Sequence, residues 1–265
     1  MSLVVNHAKE RMSGGGLALG LGVHHLRTAA TGMLAEAAGY DWLFIDAEHG
    51  AFSEDQATQL ALAALPTRCT PIIRVCKGAL DQAPRVLDNG AMGVVIPHID
   101  TAAEAEAVVA ACKYPPLGHR SLGGPAAQAR FAVMPAGELM AALNGTLLTI
   151  VMIETPEAVE NAAAIAAVRG VDVLLIGTSD LTAEMGIPGE IGHERVRAAF
   201  AAVIAACRAA GKFAGMGGVY DEATARAYIA MGIQFVLAGS DHGLLMPALR
   251  SRAGFLRSLE ARVTG

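Results

Sequence analysis

Short apolar segments without an alternating polar pattern recur eight times along the chain, and this repetition restricts the fold more than any other feature. Strands that are covered on both faces have such continuous apolar runs, whereas strands with one wet face alternate. The segments with this character, which we predict to be strands, are 17–22, 42–46, 71–75, 93–97, 147–154, 173–177, 213–217 and 235–239.

Alanine-rich stretches with helical periodicity separate these segments. The predicted helices are 28–38, 54–64, 80–88, 101–113, 156–168, 193–209, 221–231 and a last one near 243–260. Ser53, Thr101 and Asp221 are suitable N-cap residues for three of them. Eight strands that alternate with eight helices predict an α/β fold, a closed parallel (β/α)8 or TIM barrel rather than an open sheet. We expect one domain over residues 1–265.

Two regions depart from this regular alternation. Segment 114–145 is rich in Pro, Gly and Arg and is predicted to be an irregular lid or inter-subunit loop. The last helix is amphipathic, so it could close the barrel or pack on a neighbouring subunit. The high alanine content and a mean hydropathy of +0.42 favour an oligomer.

Composition restricts the partners and the compartment. The net charge is −5 and the basic residues are dispersed, so nucleic acids and anionic membrane surfaces are poor candidate partners. The 4 cysteines show no CxxC spacing, which favours buried free thiols in a reducing compartment. No apolar core of a signal peptide and no membrane span is evident, and we therefore expect a cytoplasmic protein.

Two carboxylates stand at the ends of neighbouring predicted strands. Glu154 closes segment 147–154 and Asp180 follows segment 173–177. Each one alone could simply cap the helix that follows it. Because the active sites of such barrels lie at the carboxyl ends of the strands, the two together predict a metal site. Two hard oxygen ligands suit Mg²⁺ or Mn²⁺ better than zinc.

Further polar residues follow the second and third strands. Asp46 and His49 lie in the motif IDAEHG, and we expect Asp46 to orient the ring of His49 for proton transfer. The alternative for His49 is an exposed loop histidine. Arg74 ends the third strand and could bind a carboxylate or enolate oxygen with two parallel hydrogen bonds, or form a structural salt bridge.

Other candidates are less specific. Arg120 lies among glycines in YPPLGHRSLGG, where it could bind a substrate carboxylate, but a surface arginine is an equal alternative. Ser240, Asp241 and His242 follow the eighth strand. Four histidines that could line the same rim have no assigned role: His24, His25, His98 and His119.

The sequence resembles a known family, the class II pyruvate aldolases of the HpcH/HpaI group. This group includes 4-hydroxy-2-oxoheptanedioate and 2-dehydro-3-deoxyglucarate aldolases. The similarity extends over nearly the whole chain in the same order. It is carried by the segments YDWLFIDAEHG, PIIRV, YPPLGHRS, VMIETPEAVEN, GVDVLLIGTSDLTAEMG and VLAGSD.

The resemblance implies a (β/α)8 barrel, usually a hexamer built as a dimer of trimers with the last helix exchanged between subunits. It implies a divalent cation, Mg²⁺, Mn²⁺ or Co²⁺, with Glu154 and Asp180 as its ligands. It assigns Arg74 to the ketoacid oxygen and Asp46 with His49 to proton transfer. Gly177 and Ser179 fall where backbone atoms of the family contact the pyruvate carboxylate.

The chain departs from the family pattern at positions that border the expected pocket. Met152 stands where members commonly carry Gln, and Gly22-Val23-His24 stands where they often carry Trp. GTSDL replaces the more usual GPSDL. This chain can therefore differ from the named members in its aldehyde preference and in its proton relay.

The predicted activity is cleavage or formation of 4-hydroxy-2-oxoacids through a metal-stabilised pyruvate enolate, with a 2-oxoacid and an aldehyde as small-molecule partners. No lysine occupies a strand end with a suitable pocket, which disfavours a Schiff base. One alternative is a carbon–carbon lyase that acts on an acyl-CoA of the malyl or citramalyl type, although a basic groove for CoA is not evident. A catalytically silent barrel is the other.

Overall fold

Eight parallel strands close into a barrel, as predicted, in a computed structural model that describes residue 3 and residues 5–260. Residues 1, 2, 4 and 261–265 of the expected domain lie outside the described part. Each strand pairs with its neighbours in the chain, and β8 pairs with β1. The strands are β1 Ala18–Val23, β2 Trp42–Asp46, β3 Thr70–Arg74, β4 Gly93–Ile96, β5 Leu148–Ile153, β6 Val173–Gly177, β7 Phe213–Gly217 and β8 Phe235–Ser240.

Helices connect the strands and surround the barrel. They are α1 His7–Ser13, α2 Thr31–Ala37, α3 Glu54–Ala64, α4 Gln82–Asp88, α5 Ala102–Cys112, α6 Ala136–Thr146, α7 Pro156–Glu160, α8 Ala162–Ala167, α9 Thr178–Glu184, α10 Glu194–Ala210, α11 Glu222–Met231 and α12 Asp241–Arg257. The side chains of Ser53, Thr101 and Asp221 accept hydrogen bonds from the first turns of α3, α5 and α11, as predicted.

The prediction that 114–145 is irregular throughout is wrong. Helix α6 occupies its last third, and a short 3-10 turn lies at Ala127–Ala129. Glycines at both ends of the α6 sequence obscured its periodicity. The predicted helix 156–168 is two helices, which are separated at Asn161. The side-chain amide of Asn161 donates to the carbonyl oxygen of Asp100 at 2.8 Å.

Large side chains fill the interior of the barrel. Trp42 stacks on Phe235 with ring centroids 3.9 Å apart. A Cβ atom at Gly20 would lie 2.2 Å from the Trp42 ring, so only glycine fits there. Helix α1 contributes Ala8 and Met12 to the same apolar cluster. The barrel is a packed core rather than a pore, so a site for a ligand has to lie at one of its ends.

Buried and half-buried charges hold the end of the barrel at the amino termini of the strands. Asp172, just before β6, accepts from Lys9 Nζ at 2.9 Å and from Lys113 Nζ at 3.0 Å. Lys113 also donates to the carbonyl oxygen of Leu147, just before β5. We call this end the closed face and the opposite end the catalytic rim.

Within residue 3 and residues 5–260, none of the helices combines the length and apolar character that crossing a bilayer requires. The 4 cysteines are free, and Cys69, Cys112 and Cys207 are buried.

In α12 only the first residue, Asp241, is buried, so the rest of this helix extends away from the barrel.

Candidate active site

The register of the parallel strands brings the predicted site residues together on the catalytic rim. Asp46 is the register partner of Arg74 in the β2–β3 pair. Ile153 is the partner of Ile176 in the β5–β6 pair, so the residues that follow, Glu154 and Gly177, lie side by side. Asp180 lies in the first turn of α9, directly after β6.

Glu154 is a buried carboxylate with an unusual titration. It is 1% exposed. Burial raises its pKa to about 7, and the nearby charge of Asp180 adds to this, although a hydrogen bond from the backbone N–H of His98 opposes it. That N–H donates to Oε2 at 2.8 Å. The arrangement keeps a negative charge at Glu154 unfavourable until a positive charge joins it.

Gly177 provides space beside this carboxylate. A Cβ atom at position 177 would lie 2.6 Å from Glu154 Oε1, so any side chain there would fill the space next to the oxygen. Asp180 is exposed and supplies a second carboxylate on the same side of the rim. The space and the oxygen donors fit Mg²⁺ or Mn²⁺, which are bound by few carboxylates together with water and substrate.

Asp46 and Arg74 form a buried bidentate pair. Arg74 Nε donates to Asp46 Oδ1 at 3.0 Å and Nη2 donates to Oδ2 at 2.6 Å. Arg74 Nη1 lies 3.2 Å from Glu48 Oε2, and the guanidinium lies over the Phe44 ring at 5.0 Å. Burial opposes ionisation of Asp46, but hydrogen bonds from His24 and Arg74 outweigh it and hold its pKa well below the usual range.

The expected contact between Asp46 and the ring of His49 is not formed. Asp46 Oδ1 accepts from the backbone N–H groups of Glu48 and His49 instead, at 3.0 and 3.1 Å. The ring that Asp46 binds is that of His24, whose Nε2 lies 3.0 Å from Oδ2. Strand register explains the difference, because Val23 pairs with Ile45 and thereby places His24 next to Asp46. The His49 side chain is 67% exposed.

Arg120 does not join the other candidates. Its Nη2 donates to Asp88 Oδ1 at 2.6 Å, and its guanidinium lies over the Tyr114 ring. Asp88 ends α4, which returns from the catalytic rim, and the backbone N–H of Arg120 bonds to Lys113 near the closed face. Arg120 is therefore buried in a salt bridge at the opposite end of the barrel.

Two of the four histidines that the sequence left without a role, His24 and His98, contact the predicted site residues. His24 stands at the position where the chain departs from the family pattern, and that departure was the available signal. His98 adopts a left-handed backbone with φ 52°, and its N–H binds Glu154. A strained non-glycine residue at a site of this kind is typical of functional geometry, but no local sequence pattern predicts it. Met152 is buried in the barrel interior.

Comparisons with known proteins bear on the family of this chain. A model of the family described as HpcH/HpaI aldolase/citrate lyase matches residues 26–248. The 4-hydroxy-4-methyl-2-oxoglutarate aldolase of Chaetomium globosum is 39% identical over 247 residues, with 92% of each chain covered. The 2-keto-3-deoxy-L-rhamnonate aldolase of Salmonella schwarzengrund is 37% identical over 261 residues, which cover 98% of this chain and 96% of that one.

A solved structure shows the same architecture. The crystal structure of an HpcH/HpaI aldolase from Desulfitobacterium hafniense superposes with a TM-score of 0.88 at 26% identity, and the match covers 94% of this chain and 96% of the other.

Proposed function

The chain belongs to the HpcH/HpaI aldolase/citrate lyase family, and we propose that it is a metal-dependent class II aldolase that interconverts 4-hydroxy-2-oxoacids with pyruvate and an aldehyde. The observation that carries this proposal is the buried Glu154, whose raised pKa and neighbouring Asp180 favour a bound cation. The two aldolases that are 39% and 37% identical to this chain support the choice over an acyl-CoA lyase.

Glu154 and Asp180 would hold the cation, for which we propose Mg²⁺, Mn²⁺ or Co²⁺. When bound, this ion would supply the positive charge that stabilises the developing pyruvate enolate. Gly177 keeps the space beside Glu154 open for it. The backbone of Gly177 and the hydroxyl or backbone of Ser179 would contact the pyruvate carboxylate.

Arg74 would bind the keto oxygen of the substrate. A guanidinium has five N–H donors. Asp46 accepts from two of them, on Nε and Nη2, and Glu48 Oε2 lies 3.2 Å from Nη1 as an ion-pair partner. The end of the fork carries one N–H of each terminal nitrogen. These two lie along the outer edge of the fork, and a pair of parallel donors suits an oxyanion that gains charge during the reaction.

His49 would take the proton from the 4-hydroxyl group when the C3–C4 bond breaks, and return it to the aldehyde oxygen in the reverse direction. Asp46 stays ionised and cannot supply that proton. Its role would be to anchor the loop that carries His49, through the two backbone N–H groups that it accepts.

A lysine-based mechanism has little support in the positions of the 4 lysines. Lys9, Lys113 and Lys212 lie near the closed face, where each donates to a carbonyl oxygen or to Asp172. Lys77 lies in the loop after β3. Borohydride reduction in the presence of pyruvate should therefore leave activity intact, and a pyruvate adduct on any lysine would contradict the proposal.

The direct test uses oxaloacetate, because its decarboxylation gives the same enolate without an aldehyde. The metal-loaded protein should release CO₂ from oxaloacetate and pyruvate from 4-hydroxy-4-methyl-2-oxoglutarate or 2-keto-3-deoxy-L-rhamnonate. Chelation should stop both reactions. Glu154→Ala and Asp180→Ala should be folded and inactive, with Glu157→Ala, at an exposed position of α7, as the control. Full turnover in either rim variant would remove that residue from the site.

We further propose that residues 1–265 act as one catalytic domain in the cytoplasm. The assembly would be a homohexamer in which α12 packs on neighbouring subunits. The support for the assembly is the row of large apolar side chains that α12 exposes: Leu244, Leu245, Met246, Leu249, Phe255 and Leu256.

A further inference from the structure

We propose a second cation site on the catalytic rim, formed by His24, Asp241 and His242 where β8 meets β1. Three potential ligand atoms, one from each residue, all lie within 4.8 Å of one another. None of these residues is a proposed ligand of the Glu154–Asp180 site. The second site would be separate in both its position and its chemistry.

The environment of His24 indicates a missing positive charge. Its Nε2 lies 3.0 Å from Asp46 Oδ2, and the ionised carboxylate can only accept, so the proton resides on Nε2. In the neutral ring this leaves a lone pair on Nδ1. That atom is buried and has no hydrogen-bond partner among the described residues, and it faces Asp241 Oδ1 at 3.9 Å. Two acceptors that face each other need a positive charge between them, which is either a cation or a second ring proton on His24.

Asp241 is held in place for such a role. Its Oδ2 accepts from the backbone N–H groups of three successive residues, His24, His25 and Leu26, at 3.0, 2.7 and 2.8 Å. These contacts fix the carboxylate where β8 meets β1 and direct Oδ1 toward His242, whose Nδ1 lies 3.2 Å away. Although burial opposes ionisation, the hydrogen bonds lower the pKa of Asp241 to about 2. The charged form is therefore present at neutral pH.

The donor set determines which cation would bind. Two imidazoles and one carboxylate suit Zn²⁺, Co²⁺ or Fe²⁺, whereas Mg²⁺ prefers oxygen alone. Ligands at about 2.0–2.2 Å from a tetrahedral ion lie roughly 3.3–3.5 Å apart. Two of the three ligand pairs here are 3.2 and 3.9 Å apart, and all three lie within 4.8 Å. The His242 side chain is 52% exposed, which gives the ion a route from solvent.

The outer contacts complete a pattern that is common at metal centres. A metal-binding histidine usually donates its other ring N–H to a carboxylate, which fixes the tautomer and increases ligand basicity. Asp46 provides this contact to His24. Because Asp46 also binds Arg74, an ion at the second site would fix the ring of His24 beside this pair, whose arginine is the proposed substrate contact.

The experiment counts tightly bound ions in metal-depleted protein that is titrated with Zn²⁺. The unaltered protein should bind one more ion per chain than His242→Ala, whose affinity at this site should fall by about 100-fold or more, beyond the loss for an outer contact. His25→Ala is the matched control. It removes a neighbouring exposed ring, 5.4 Å from that of His242, that is not one of the three ligands. This variant should bind as the unaltered protein does.

A structural readout separates the two sites. X-ray absorption of the Zn²⁺-loaded protein should show imidazole scattering that His242→Ala and His24→Ala lose, with circular dichroism confirming the metal-free fold. The difference of one ion between the unaltered protein and His242→Ala is independent of whether the Glu154 site binds metal. Equal counts in these two proteins would overturn the proposal and leave His24 as an imidazolium between two carboxylates. An unaltered protein without the extra imidazole scattering would overturn it as well.

Discussion

Asp46 connects residues from two strands that flank it on the catalytic rim. It binds Arg74 of β3 on one side and His24 after β1 on the other, and it accepts two backbone N–H groups of its own loop. Because it is buried and ionised, these partners are fixed before any substrate arrives. Donors that need no reorganisation during the reaction are the largest single source of stabilisation in many enzymes.

The replacement Arg74→Lys tests this arrangement. We expect kcat/KM for pyruvate release to fall on the order of 10²-fold or more, because an ammonium group cannot bind Asp46 through two parallel bonds and still present two donors to the substrate. Steady-state kinetics with unfolding curves as a fold control provide the measurement. A variant within a few-fold of the unaltered enzyme would make Arg74 structural.

Glu154 should make the metal-free protein less stable as pH rises. Its pKa in the folded state is about 7, above the ordinary value of 4.5. Between these values the unfolded chain has released a proton that the folded chain retains, so the free energy of unfolding falls with rising pH and levels off above about 7. The decrease should total about 3 kcal/mol.

Urea unfolding of chelated protein at several pH values between about 5 and 8 measures this decrease. Glu154→Gln, which cannot ionise, should show a flatter profile and serves as the matched control. Identical slopes for the two proteins would mean that burial does not disfavour the charge of Glu154. Added Mg²⁺ should restore stability above pH 7, since it binds the ionised carboxylate of the folded state.

At the scale of elements, strand register and loop anchoring place the reactive groups. The residues that follow register partners lie side by side, which joins His24 to Asp46 and Glu154 to Gly177. The β2–α3 loop is fixed differently, through N–H groups that point at Asp46. Its histidine ring is consequently exposed and positioned by the backbone rather than by a side-chain partner.

This geometry predicts a selective effect of His49→Ala. Aldol cleavage requires a base for the 4-hydroxyl, whereas oxaloacetate decarboxylation does not. The variant should therefore lose about 10²-fold or more in pyruvate release from a 4-hydroxy-2-oxoacid and retain most of its decarboxylase activity. Parallel assays on one preparation provide the comparison. Equal losses would show that His49 supports the loop or the metal, and His24 would then be the next candidate base.

At the scale of the whole molecule, the barrel has one face for stability and one for chemistry. Lys9, Lys113 and Asp172 hold the closed face, and the strand-end carboxylates lie on the catalytic rim. Helix α12 lies outside both the closed face and the packed ring of helices. It leaves the barrel after Asp241 with large apolar side chains exposed, which a chain of this kind would cover by association.

We expect the protein to sediment as an oligomer and Leu249→Glu to shift it toward smaller species, because a charge in an apolar interface is costly to bury. Leu249 is 51% exposed in the single chain. Ser251→Glu, on another side of the same helix, is the control and should leave the mass unchanged. Sedimentation velocity at several concentrations distinguishes these outcomes. A monomeric unaltered protein would contradict the proposed assembly.

The sequence by itself determined the barrel and the residue types on its rim. Continuous apolar runs, helical periodicity and capping residues act over a few neighbours, so the eight strands and the caps at Ser53, Thr101 and Asp221 were predictable. The position of Glu154 at a strand end and of Asp180 after the next strand followed from the same local signals.

Only the tertiary structure decided which side chains meet. That Asp46 binds the ring of His24 rather than His49 depends on the pairing of β1 with β2, and the burial of Arg120 at the closed face depends on the path of a long connection. The contact of Asp241 with the β1 loop requires the barrel to close. Such contacts join residues up to 217 positions apart, and periodicity carries no information about them.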